Sequence, residues 1–152
     1  MDGQTSAFPM SVFFDTSVLV PVFLEAHEHH EPSLAAFLEA NKGSAYCAAH
    51  SLAEFYSTFT RLPAALRLSG PQVLLFLENI RERLTIVDLT SAEYISALEA
   101  AAAHNIVGGA IYDLLLARAA LKSGAEMLLT WNIKHFTRFG PDIASRVLTP
   151  SR

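Results

Sequence analysis

Val12-Phe13-Phe14-Asp15-Thr16-Ser17-Val18-Leu19 sets an acid between two apolar runs, directly after what reads as a short buried strand. An unpaired acid is costly to bury, so Asp15 needs a reason to stand there. One reason is local, because Asp favours the cap of a following helix. The other is a site, and it depends on whether the chain repeats the arrangement. Further apolar runs bounded by turn residues predict strands at Ala45–Ala48, Leu84–Val87 and Met127–Thr130, with a weaker one at Arg146–Leu148. Most of them do not alternate, as expected of parallel strands covered by helices on both faces.

Helix patterns with recognisable starts lie between the strands. Pro32 stands near the beginning of a helix running to about Ala40, with Gly43 beyond its end. Ser51 and Glu54 have capping-box spacing and predict a helix from Ser51 to about Arg61. Ser69, followed by Pro71 and Gln72, opens another that reaches about Arg83. Thr90 with Glu93 repeats the device before an Ala-rich helix ending near His104, and Gly108-Gly109 leads into a helix from about Ile111 to Ser123, stopped at Gly124. Helices separating successive strands four times predict an α/β fold, with a central parallel sheet of four to five strands between helical layers.

In such a fold the carboxyl ends of the strands face one crevice. Asp15, Glu54, Asp113 and Asn132 all fall at strand exits or helix starts. Each has a plain alternative. Glu54 is explained as the capping partner of Ser51, Asp113 gains from the dipole at a helix start, and Asn132 suits a strand-exit turn. Their agreement in place is what favours a site. Asp88 also ends a strand, but the Thr90–Glu93 cap accounts for that junction and it is left out. Carboxylates about 5 Å apart repel by about 3 kcal/mol per pair at an effective dielectric of about 20. A hard, oxygen-ligated cation, Mg²⁺ or Mn²⁺, removes that cost, so a metal-dependent reaction is expected.

Composition sets the bounds. The chain of 152 residues is one domain's worth, and 51% apolar with 17% charged residues argues for a packed globule over disorder. The strongest apolar stretch, Val12 to Leu24, is interrupted by Asp15 and Pro21 and is too short to span a bilayer. Residues 1–10 carry no visible export signal and read as a flexible extension of a single domain. The lone Cys47 agrees with a reducing cytosol, so a cytoplasmic protein is expected. A formal charge of −4 argues against a non-specific nucleic-acid coat while leaving room for local basic groups. Lys134, just past Asn132, and Arg118, one turn into the Asp113 helix, are the nearest cations in sequence to these residues, and each reads either as a solvated surface charge or as a donor to an anionic substrate. His27-Glu28-His29-His30-Glu31 hints at zinc, but Pro32 makes it the lead-in to a helix and no cysteine completes a ligand set. His50, His104 and His135 are isolated and read as structural or surface residues.

Four motifs carry a family resemblance. They are Phe13-Phe14-Asp15-Thr16-Ser17-Val18-Leu19, Ser51-Leu52-Ala53-Glu54-Phe55-Tyr56, Ile111-Tyr112-Asp113-Leu114-Leu115-Leu116-Ala117, and Leu129-Thr130-Trp131-Asn132-Ile133-Lys134-His135-Phe136. In this order the chain resembles a PIN domain, and among PIN proteins the VapC-type ribonuclease toxins of toxin–antitoxin pairs. The resemblance runs from about Val12 to Leu148. It implies an α/β/α sandwich, Mg²⁺ or Mn²⁺ dependence, endonucleolytic cleavage of RNA, a small antitoxin partner and a homodimer. It assigns Asp15, Glu54 and Asp113 to the acidic metal-binding positions. Asn132 falls where a fourth acid is often found, and there the chain departs from the family. Ser17 matches a small polar residue near the first acid, expected to support the metal shell and substrate. The rivals are a non-catalytic RNA-binding or protein-docking module, for which Asn132 speaks, and a metal-dependent nuclease acting on structured RNA or DNA. An apolar run from Leu52 to Leu66, with Phe55, Tyr56 and Phe59, is a candidate groove for a partner helix, although core packing explains most of it.

Overall fold

The computed structural model describes residues 10–150, so the extension expected at its amino end lies, apart from Met10, outside the described residues. Elements follow in the order β1 (Val12–Phe14), α1 (Thr16–Val22), α2 (His30–Leu38), β2 (Ala45–Ala48), α3 (Ala49–Thr60), α4 (Gly70–Arg83) and β3 (Thr85–Val87). Then come α5 (Ser91–Ala103), α6 (Ala110–Ser123), β4 (Met127–Leu129), α7 (Ile133–Thr137), α8 (Pro141–Ala144) and β5 (Val147–Leu148). The strands form one parallel sheet in the order β3-β2-β1-β4-β5.

Successive residues of each strand serve opposite layers. Phe14, Ala45, Cys47 and Leu129 pack with α1 to α4, through Val18, Leu19, Phe55, Phe59 and Ile80. Phe13, Ala48 and Leu128 pack with α6 to α8, through Leu116, Ala120, Phe136 and Ile143. Phe13 and Phe14 are both fully buried, one on each side, and each such ring contributes about 1.5–3 kcal/mol. Helix α5 lies outside α6, with Ala97 and Ala101 against Leu114 and Leu115. The expected three-layer sandwich is the fold observed. Cys47 belongs to its interior, where burial pushes the thiol up to about 12 and makes it inert.

From β1 the chain builds outward to β2 and β3, then crosses to β4 and β5 on the other side. The order therefore reverses between β1 and β4, where strand ends open a crevice. Asp15 N donates to Leu129 O and Thr130 N to Leu148 O, both at 3.0 Å, which carries the ladder one residue past each strand. Asp15 and Thr130 are thus placed by the sheet itself.

Two of the three expected caps form as read. Ser69 with Gln72 and Thr90 with Glu93 make reciprocal capping boxes, and Gly124 closes α6 in the left-handed conformation at φ 76°. The box at Ser51 does not form. Strand β2 runs straight into α3, whose cap is Ala48, and Ser51 lies inside the helix, fully buried, with Oγ 2.8 Å from Thr16 Oγ1. No loop is left there for a cap to act on. Helix α1 went unread because Val18, Val20 and Val22 are β-branched and Pro21 reads as a breaker. Burial of Val18, Leu19, Pro21 and Val22 overrides that propensity, and Pro21 lies one residue from the end, where little of the helix remains to be broken. Helices α7 and α8, of five and four residues, are too short to show a period. Phe55 and Phe59 are core residues, so only Tyr56 of the expected aromatic groove faces outward.

Candidate active site

Asp15 is the N-cap residue of α1 by position, yet its side chain caps nothing. Its Oδ2 accepts hydrogen bonds from Ser17 Oγ and Thr130 Oγ1, both at 2.7 Å. Only 5% of the residue is exposed. Burial raises its pKa, and the hydrogen bonds from Ser17 and Thr130 pull it back only in part. The carboxylate is held rigidly by its neighbours. Ser17 Oγ also accepts from Trp131 N at 2.9 Å, and the Trp131 indole donates to the buried Ser33 hydroxyl at 2.9 Å. His29 stacks flat on that indole, centroids 3.7 Å apart. The expected histidine cluster is therefore a structural lead-in, with His30 Nδ1 also 2.7 Å from Pro21 O.

Glu54 lies one turn into α3, on the side that faces α1. Thr16 Oγ1 donates to its Oε1 at 2.5 Å, and His50 Nε2 lies 3.5 Å from Oε2, one turn earlier on the same helix. His50 in turn stacks on Tyr112 of α6, centroids 5.3 Å apart.

Asp113 stands in the first turn of α6. Its Oδ2 lies 3.6 Å from both His135 Nδ1 and Arg138 Nη2. Its pKa is nonetheless raised, first by burial, and further by the negative charges of Asp15 and Glu54, against the opposing pull of His135 and Arg138. The three acids, far apart in sequence, therefore feel one another across a shared space.

That space is a cavity of about 790 Å³ lined by Asp15, Ser17, Glu54, Asp113 and Asn132 together with Thr16, His50, Arg61, His135 and Arg138. All four core residues expected from the sequence meet there. Asn132 is the N-cap residue of α7 without a side-chain cap bond, and its amide N donates to Thr130 Oγ1 at 2.9 Å. The two expected cations do not line this cavity. Lys134 is exposed and absent from the lining, and Arg118 lines a neighbouring cleft. Ser17 is spent on holding Asp15 and Trp131, so it supports the carboxylate.

The donor set is hard oxygen in a partly desolvated crevice, which suits Mg²⁺ or Mn²⁺. Burial first, with a smaller push from Asp15 and Glu54, raises the pKa of Asp113. Among the described residues, however, no three His, Cys, Asp or Glu side chains already form a coordinating cluster. Glu54 is turned to Thr16 and His50, and Asp113 to His135 and Arg138. The chemistry of the donors fits the ion, while Glu54 and Asp113 are each engaged by neighbouring side chains.

The PIN-domain family model matches residues 12–140. The chain belongs to the PIN-domain family. Its PIN-domain relatives include ribonuclease VapC40 of Mycobacterium tuberculosis, 36% identical over 114 residues that cover 75% of this chain and 81% of VapC40. Ribonuclease VapC27 of the same organism is 38% identical over 120 residues, 78% of this chain and 82% of VapC27. Among solved structures, VapBC2 from Rickettsia felis bound to a DNA fragment from its promoter matches with a TM-score of 0.62 at 19% identity, covering 93% of this chain and 100% of that one. The PIN-domain fold thus extends over nearly the whole chain.

Sequence reasoning missed Thr16, Thr130, His50, His135 and Arg138 in this PIN-domain site. Thr130 had a signal, since a hydroxyl ending an apolar strand beside a buried acid is a natural donor to it. His50 stands four residues before Glu54, the spacing of one helix face. His135 and Arg138 gave none, because both depend on α7, which is too short to be read.

Proposed function

We propose that this PIN-domain protein is a metal-dependent endoribonuclease of the VapC type, acting in the cytosol as the toxin of a toxin–antitoxin pair. The observation that carries the reading is the single cavity that Asp15, Glu54 and Asp113 line together. Relatives named as ribonucleases over most of their length support it. An antitoxin partner is supported by the toxin–antitoxin pair whose toxin shares the fold, and a homodimer is part of the same proposal. Among the described residues no helix is long and apolar enough to cross a membrane.

In this reading Asp15 and Asp113 would hold Mg²⁺ or Mn²⁺, with Glu54 completing the set or orienting the attacking water. The bound ion supplies a lowered water pKa and stabilises charge on the phosphate under attack. Asp15 is rigid because Ser17 and Thr130 fix one of its oxygens. Glu54, now bonded to Thr16 and near His50, and Asp113, near His135 and Arg138, would have to turn from these partners to reach the ion. His135 and Arg138 line the same cavity and would serve as donors for the substrate phosphate. Asn132 lines the cavity with an uncharged amide where a fourth acid would add repulsion, and its proposed role is to orient a water.

The test is cleavage of short single-stranded RNA by purified protein in Mg²⁺ or Mn²⁺ and in EDTA. Cutting is expected with metal only, with Asp15→Asn and Asp113→Asn lowering it at least 100-fold while circular dichroism stays unchanged. Full activity in either variant defeats the assignment. RNA binding without metal-dependent cutting points instead to a holding or docking module, and cutting confined to duplex RNA or DNA changes the substrate class.

A further inference from the structure

Beside the acidic cavity lies a second cleft of about 680 Å³, between the end of α5, the start of α6 and the chain after α7. Its polar lining is Arg118, Arg138, His104 and Asn105, with no carboxylate among the described residues that form it. Arg138 and Ala110 line both spaces, so the two adjoin. We propose that this cleft is a subsite for the phosphate backbone of the RNA, next to the bond to be cut, with Arg118 as its fixed donor and Arg138 joining it. The proposal rests on the ribonuclease reading above and adds a place for the strand.

Arg118 is half-buried in α6, and among the described residues it has no hydrogen-bond or ion-pair partner. Other arginines packed against the fold are tied down. Arg83 donates to Leu38 O at 3.0 Å and Ala40 O at 3.4 Å, and Arg146 to Asp142 O at 2.8 Å and Ala125 O at 2.6 Å. A guanidinium with five donors and no acceptor, partly withdrawn from water, is poorly satisfied. Its planar fork matches two phosphate oxygens. Arg138 is held toward the acids by Asp113 at 3.6 Å and lies over the Phe139 ring at 5.1 Å, so it spans the junction of the two spaces. The chain's charge of −4 repels a polyanion overall, and a basic cleft free of acids is where that repulsion is locally reversed.

Binding of a fluorescein-labelled single-stranded RNA to the full chain in EDTA, followed by anisotropy across a KCl series, tests this. Arg118→Met keeps the apolar stem and is expected to weaken binding about tenfold, the fold-change of one lost charge-assisted contact. The slope of log affinity against log salt should fall by about 0.7, one phosphate's worth for a single strand. Arg118→Lys should keep the slope. In Mg²⁺, Arg118→Met should raise KM about tenfold and leave kcat within about twofold. Wild-type affinity, slope and KM in a folded Arg118→Met protein overturn the proposal, and leave an acidic peptide as the cleft's alternative ligand. Should that variant not fold, Arg118→Gln reads the same quantities. Wild type that cuts no RNA in Mg²⁺ defeats the underlying reading, whereas wild type that cuts alongside an unaffected Arg118→Met defeats only the subsite.

Discussion

At the scale of single residues, the site is a balance of charges that the fold keeps unfavourable. Asp113 has the Arg138 guanidinium and the His135 ring beside it, yet burial, with the charges of Asp15 and Glu54, leaves its pKa raised. A carboxyl whose folded pKa lies above its unfolded value binds its proton more tightly when folded. Its penalty is absent below the unfolded value, grows as pH rises from there to the folded value, and is complete above it. Asp113→Asn removes that penalty. In EDTA at pH 7 the variant is expected to melt above wild type, with the gap closing as pH is lowered toward about 4. Melting curves across that range check it, and a variant less stable than wild type at pH 7 would mean that the lost His135 and Arg138 contacts outweigh the relief. Asp15, Glu54, Asp113 and Asn132 were legible because each interrupts an apolar context or opens an element. Thr16, His50 and Arg138 were not, since a hydroxyl, a helix-face histidine and a surface arginine stand in many places without consequence.

At the scale of elements, the local devices near the amino end of α5 stabilise the frame without touching the chemistry. The Thr90–Glu93 box satisfies the first amides of α5, and Lys122 Nζ joins it to α6 and β3 through Glu93 Oε1 at 2.8 Å and Asp88 O at 2.7 Å. Thr90→Ala should cost about 1 kcal/mol, a fall in Tm of about 2–4 °C for a domain of this size. Metal-dependent cleavage should be unchanged, because α5 packs outside α6. A parallel loss of activity at temperatures where the variant is folded would show that α5 governs the site. The elements that were read correctly have a period or a cap to announce them. Ser51 shows how such a signal misleads: the Ser51–Glu54 spacing is real, but both side chains answer to Thr16 on the neighbouring helix. Tertiary contacts took over groups that local rules would have used for a cap.

At the scale of the whole molecule, the reversal of strand order between β1 and β4 gathers acids from the end of β1, from α3 and from α6 that no local rule connects. A fold that crowds like charges stores a cost that ligand binding can recover. Mg²⁺ should therefore stabilise wild type by about 2.7 kcal/mol at a concentration 100 times its dissociation constant, or about 5–11 °C in Tm. The ion must act through the cavity and not through the chain's overall charge of −4, so the control is KCl at equal ionic strength, which should add little. Asp15→Asn should start above wild type in EDTA, since it no longer buries a carboxylate whose pKa is raised by burial, and should gain almost nothing from Mg²⁺. The two melting temperatures are thus expected to cross as the ion is added. Equal gains in wild type and variant would mean that the ion is bound elsewhere, and the convergence of the three acids would then have to be explained without a metal.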